Sequence, residues 1–150
     1  MQADAEKAIV NDAIQTNETP LKVLLVDDEE TMHEMMHLAL SSTEYSLVSA
    51  SNVDEAMKEI ASANPPDIVI TDAMMPGDSG FSLIKSMKSN PTTSDIPVIL
   101  WTILEDANGA VMDSSGKADL TMTKPFNLPN LMESLAKARH LIKSDVEILF

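Results

Sequence analysis

From Leu21 onward, short apolar runs alternate with stretches in which apolar residues recur at helical spacing. Leu24-Leu25-Val26 and Ile68-Val69-Ile70-Thr71 read as parts of buried strands. Such strands, each followed by an amphipathic helix pattern, are the signature of repeated βα units wound around a parallel sheet. Strands are expected at 22–26, 46–50, 67–71, 97–102 and 120–123, and helices at 30–41, 53–63, 80–89, 105–113 and 128–144. The fold class that follows is α/β, a (βα)5 doubly wound, five-stranded parallel sheet in the order 2-1-3-4-5. The connections carry the breakers that such a fold needs: Asn64-Pro65-Pro66, Pro76-Gly77-Asp78, Asn90-Pro91 and Ser114-Ser115-Gly116. Asn52 with Glu55 three residues on resembles a capping box that opens the second helix. The helix at 105–113 is the weakest, because Asn108-Gly109 interrupts it and a glycine costs ~1 kcal/mol relative to alanine.

A chain of 150 residues with 44% apolar content suits one domain with one core, here 21–144, after a polar extension at 1–20 and before a short tail at 145–150. Within the extension, Ile9 with Ala13 and Val10 with Ile14 fall at i,i+4, so a marginal amphipathic helix could dock on a partner or a second copy. A net charge of -14, from 24 acids and 10 bases without a basic cluster, argues against nucleic acid and anionic membrane as partners. Neither a secretory leader nor a membrane-length apolar stretch is evident. Cysteine is absent, which removes disulfide, thiolate and zinc–cysteine chemistry and is compatible with a cytoplasmic location.

The chemistry lies where the strands end. Asp27 and Asp28 close the first apolar run and Asp72 closes the third. A run such as Asp27-Asp28-Glu29-Glu30 is commonly a solvated helix start, since carboxylates favour the positive end of a helix. In the order 2-1-3-4-5, however, the first and third strands are neighbours at the topological switch point, where ligands of open parallel sheets bind. Three carboxylates gathered there repel one another unless a hard cation neutralises them, and all-oxygen ligation suits Mg²⁺. Thr102 ends the fourth expected strand and Lys124 the fifth, offering a hydroxyl and an ammonium to phosphoryl oxygens in the same crevice.

The stretches LLVDDEETM, ITDAMMPGDSG, IPVILWT and TKPF, in this order and at ordinary spacing, resemble the response-regulator receiver domain of two-component signalling, a CheY-like, flavodoxin-like fold. The resemblance runs from about Leu21 to Ser144. It implies that Asp72 is the phosphoacceptor, that Asp27, Asp28, Asp72 and the Met74 backbone carbonyl hold Mg²⁺, and that Thr102 and Lys124 bind the phosphoryl group. It also implies a cis bond between Lys124 and Pro125. The implied partners are a histidine kinase or histidine phosphotransfer protein as donor and a downstream protein as target. The protein would be no metabolic enzyme, since it would catalyse only its own aspartyl phosphorylation and a slow self-dephosphorylation.

Departures from that family pattern give this chain its own character. Ile103 stands where the family usually has a small residue after the threonine, and would crowd the pocket. Met74 and Leu104, two positions beyond Asp72 and Thr102, are apolar and cannot orient an attacking water, so the phosphoryl group should be lost slowly. Thr121 occupies the position where an aromatic switch residue is usual, which puts the common readout in doubt. Strand alternation turns Trp101 away from the Thr102 side, toward core packing. The 11 methionines read mainly as core filling, with an adaptable binding surface as the alternative. His33 and His37 have the i,i+4 spacing of a zinc pair, with His140 as a remote third ligand, but exposed helix histidines are the plainer reading.

The leading expectation is therefore a stand-alone receiver that signals through phosphorylation-dependent protein contacts. The alternatives are a non-switching receiver-like scaffold, motivated by Ile103 and Thr121, and the receiver portion of a longer regulator. An aspartate-nucleophile phosphohydrolase is disfavoured, because Asp27-Asp28-Glu29 lacks the Asp-x-Asp-x-Thr arrangement. Homodimerisation stays open.

Overall fold

A computed structural model describes residues 20–75, 77–102, 118–124 and 126–142. In chain order these form β1 (Leu21–Val26), α1 (Glu30–Leu40), β2 (Tyr45–Ala50), α2 (Val53–Ile60), β3 (Ile68–Asp72), a short pair β4 (Met74–Met75) and β5 (Asp78–Ser79), α3 (Gly80–Ser89), β6 (Val98–Thr102), β7 (Leu120–Thr123) and α4 (Leu128–Leu141). The expected helix at 105–113, the extension at 1–19, the tail, Ile103, Leu104 and Pro125 lie outside the described residues.

The main sheet runs β2-β1-β3-β6-β7 and every pairing in it is parallel, which is the expected order 2-1-3-4-5. Side chains alternate across it and bury on both faces. Leu24, Val26, Val69, Val98 and Leu100 meet Ala56, Ile60, Ile84 and Met87 of α2 and α3 on one side. Val23, Leu25, Ile68, Ile70, Ile99 and Trp101 meet Met36, Leu131 and Leu135 of α1 and α4 on the other. Continuous apolar runs rather than a polar/apolar alternation are what such doubly covered strands require. Each fully buried Leu or Ile contributes about 2 kcal/mol through the hydrophobic effect. Met36, Met75, Met87 and Met122 are buried while Met35 and Met74 are exposed, so packing is the commoner methionine role among these.

Local chemistry explains most element ends. The Asn52 side chain accepts from the Glu55 N–H at 2.9 Å, and the Glu55 carboxylate accepts from the Ser51 N–H at 2.7 Å, a reciprocal cap that opens α2. Ser79 and Asn127 cap α3 and α4 through their side chains alone, accepting from the Ser82 and Asn130 N–H groups. α2 ends at Ile60 rather than at 63, because Ser62 turns its hydroxyl back onto the Glu59 carbonyl at 2.8 Å and offers the backbone a competing partner. α4 ends at Leu141 instead of 144. The β4–β5 pair was not expected as strand. It folds back through Gly77, whose φ of 84° is open to glycine at little cost. Ser42, just after α1, has a φ of 72° without being glycine.

Candidate functional site

β1 and β3 are adjacent in register, with Val26 opposite Thr71, so their ends meet at one edge of the sheet. Asp27 follows β1 and is fully buried. Its N–H donates to the Ala50 carbonyl at 3.1 Å, continuing the ladder to β2. One carboxylate oxygen accepts from the Glu29 N–H at 2.9 Å, which turns the chain toward α1, and the other accepts from Lys124 Nζ at 3.0 Å. Its carbonyl oxygen accepts from His33 Nε2 at 2.7 Å. Every polar group of this residue is thus engaged, as burial demands.

Asp72 is the last residue of β3 and is 9% exposed. Its carboxylate lies 3.5 Å from Lys124 Nζ and 3.5 Å from the Met74 N–H. Asp28 is exposed beside it. One oxygen from each of Asp27, Asp28 and Asp72 lies within 4.8 Å of the other two. Burial pushes the Asp72 carboxyl above its ordinary range. The Lys124 charge opposes that rise, the Asp27 charge adds to it, and the Met74 N–H and the Lys124 hydrogen bond lower it in part. Burial pulls the Lys124 ammonium down, but its hydrogen bond to Asp27 and the charges of Asp27, Asp72 and Glu29 outweigh this and hold it above its usual value.

Lys124 is placed by β7: its N–H donates to the Thr102 carbonyl at 3.0 Å, and its ammonium lies 4.9 Å from the centroid of the Trp101 ring. Trp101 is buried and tilts against Phe126 at 5.6 Å. Core packing and contact with the site lysine are therefore joined in one side chain. Thr102 ends β6, is 3% exposed, and pairs in register with Thr123. Thr121 is exposed on β7, and Met74 is 60% exposed.

The residues singled out in sequence thus fall into two sets. Asp27, Asp28, Asp72 and Lys124 converge, and Thr102 and Met74 flank them on adjoining strand ends. Among the described residues the acids form the metal-ligating group of three or more, and His33, His37 and His140 do not join it, so the zinc reading finds no support there. The donor set fits a hard divalent cation: it is all oxygen, and of its three carboxylates Asp27 and Asp72 share the Lys124 ammonium, which leaves negative charge in excess. His33 was missed as a neighbour of the site. Its position in the first turn of α1, six residues after Asp27, places it within reach, but nothing in the spacing says that its ring would turn back to the Asp27 carbonyl.

Comparison with known proteins agrees with this arrangement. The family model described as the response regulator receiver domain matches residues 23–136. The phosphate regulon transcriptional regulatory protein PhoB of Pseudomonas aeruginosa is 34% identical over 113 residues, which are 75% of this chain and 49% of that protein. The chain thus spans about half the length of this curated relative. The signal receiver domain of a histidine kinase from Syntrophus aciditrophicus is 32% identical, with a TM-score of 0.70 over 78% of this chain and 88% of that one. The chemotaxis response regulator CheY4 of Vibrio cholerae is 26% identical, with a TM-score of 0.72 over 80% of this chain and 99% of that one. No helix among the described residues is long and apolar enough to cross a membrane. With the parallel sheet in the order β2-β1-β3-β6-β7 and the acids at its switch point, these matches make the chain a member of the response-regulator receiver family of two-component signalling.

Proposed function

We propose that this protein accepts a phosphoryl group on Asp72 from the phosphohistidine of a histidine kinase or phosphotransfer protein in the cytoplasm, and signals through protein contacts that depend on that modification. The observation that carries this reading is the convergence of Asp27, Asp28 and Asp72 on one point, with Lys124 bridging two of them. An Asp72 oxygen attacks phosphorus, an O–P bond forms, the N–P bond of the donor breaks, and the leaving imidazole takes up a proton from solvent. Lys124 Nζ, already between Asp27 and Asp72, is within reach of the charge that gathers on the transferring oxygens. Asp27, Asp28, Asp72 and the Met74 carbonyl would hold Mg²⁺, which when bound supplies charge neutralisation for the transferring group.

Thr102, at the end of β6 beside the Asp72 strand, is the hydroxyl that the added phosphoryl oxygens would recruit, biasing the segment that follows it. Ile103 and Leu104 stand in that segment, where they would gate the pocket. Thr121 in place of an aromatic implies a readout that does not pass through a ring on β7.

The test is incubation with a small phosphodonor, with and without Mg²⁺, followed by intact mass, with Asp72→Asn as control. A Mg²⁺-dependent adduct that the control lacks supports the reading. An absence of adduct, with histidine kinases also supplied as donors, overturns it in favour of a constitutive scaffold.

A further inference from the structure

His33 sits in α1, yet its ring is spent on holding the chain at the end of β1. Nε2 lies 2.7 Å from the Asp27 carbonyl oxygen, and Nδ1 lies 2.9 Å from the Ser49 hydroxyl at the end of β2. A carbonyl oxygen only accepts, so Nε2 carries a hydrogen and donates. Nδ1 can then accept from the Ser49 hydroxyl or donate to it, so the bridge does not depend on the charge of the ring. The bonded carbonyl belongs to the peptide that joins Asp27 to Asp28. Because that peptide is planar, fixing the direction of its carbonyl fixes the direction in which Asp28 leaves Asp27. Asp27 is anchored at its other polar groups by Ala50, Glu29 and Lys124. Asp28 is exposed, so its approach to the other acids rests on the backbone that presents it.

We propose that His33 is a positioning residue: it ties the Asp27–Asp28 peptide to β2 and so sets the angle at which the two carboxylates face a divalent cation. This rests on the receiver reading above and extends it to a residue outside the acidic cluster. The ring borders an open cleft of about 300 Å³ lined also by Asp28, Glu34 and Ser51. Water from the cleft can take over the bond to the Asp27 carbonyl when the ring is removed, but water does not hold the peptide in one direction. Cation affinity, rather than folding, is therefore the property that His33→Ala should change most.

The experiment is a Mg²⁺ titration of the full chain, followed by the fluorescence of Trp101, the chain's single tryptophan, whose ring lies 4.9 Å from the ammonium that the cation would disturb. Calorimetry runs in parallel, with thermal midpoints measured for each variant. His33→Ala is expected to weaken Mg²⁺ binding by about tenfold, the lower end of what loss of a ligand-orienting partner does to metal affinity. His33→Gln, whose amide N–H can donate to the same carbonyl, should recover most of it. Ser49→Ala, which frees the ring but keeps it, should weaken binding less and in the same direction, and serves where His33→Ala fails to fold. Native affinity in His33→Ala, or in Ser49→Ala should that variant alone fold, overturns the proposal, as does an equal loss in His33→Ala and His33→Gln. If the native chain binds no Mg²⁺, and Asp27→Asn changes nothing, the receiver reading falls together with the proposal; normal native binding with an insensitive His33 removes the proposal alone.

Discussion

Gly80, the first residue of α3, lies against the end of β3, the strand that carries Asp72, and its replacement by alanine is a sharp test of how that strand end is built. A Cβ on Gly80 would stand 2.1 Å from the Asp72 carbonyl oxygen and 3.0 Å from Thr71 Oγ1, where ordinary contact begins at 3.4 Å. The nearest obstacle is backbone, so relief requires α3 or the end of β3 to move by more than an ångström. The Gly80 N–H also donates to the Ala73 carbonyl at 3.0 Å, which couples the two segments. Overpacking of this kind costs about 1–3 kcal/mol, which for a chain of this size lowers the thermal midpoint by roughly 3–9 °C. The functional loss should be larger than the stability loss suggests, since a misplacement of ~1 Å at a reacting group can cost about 100-fold in rate. Thermal denaturation with phosphorylation kinetics by intact mass measures both. Gly77→Ala is the control. Its Cβ meets nothing within 4 Å, but its φ of 84° makes alanine strained, so it should lose about 1 kcal/mol and phosphorylate normally. Native phosphorylation in Gly80→Ala, or an equal loss of rate in Gly77→Ala, would refute the reasoning.

Three further outcomes follow from the same geometry. Burial raises Asp72 above its ordinary value of 3.8, so the folded state holds that proton more tightly than the unfolded chain, and stability falls as pH rises through the window between the two values. Asp72→Asn, which cannot ionise, should therefore be more stable than the native chain at about pH 7 in Mg²⁺-free buffer, with the gap closing as pH falls to the unfolded value; urea midpoints across that range check the sign. Ser42→Gly should stabilise by about 0.5–1 kcal/mol, because glycine relieves a left-handed conformation at an exposed site after α1; a lower thermal midpoint contradicts this. Met74→Asn should shorten the lifetime of the phosphoryl group several-fold by offering a polar side chain to an attacking water, and a phosphoprotein that decays more slowly than the native one would show that water access is set elsewhere.

The main features of the sheet and its acids are visible in the sequence because each depends on nearest neighbours along the chain. Leu24 and Leu25 face opposite layers, so both must be apolar, and the run ends where the polar edge begins at Asp27. What the sequence conceals are contacts, near or far along the chain, that the spacing of polar and apolar residues does not encode. The ring of His33 bonds to a backbone atom, and no side-chain pattern records a carbonyl that needs a donor. α2 stops early because one serine hydroxyl finds a carbonyl, a competition that periodicity does not register. The β4–β5 pair is two residues on each side, too short for any alternation to betray it. Trp101 was legible as core but not as a seat for Lys124, since that contact joins the end of β6 to the residue after β7.

At the opposite edge of the sheet, two acids hold strands in place. Asp67 accepts from the Lys22 N–H at 2.8 Å where β1 begins, and Asp119 accepts from the Val98 N–H at 2.8 Å where β6 begins. Lys88 clasps Asp119 at 2.8 Å and the Ser94 and Ile96 carbonyls, joining α3 to the entrances of β6 and β7. Strand register is thus pinned about three to five residues away from Asp27 and Asp72 at the other end of β1 and β3. Substitution can then act on the two edges separately: Thr121 or Met74 can change without touching the bonds that align the strands, whereas a change at Asp67 or Asp119 removes a bond on which that alignment rests.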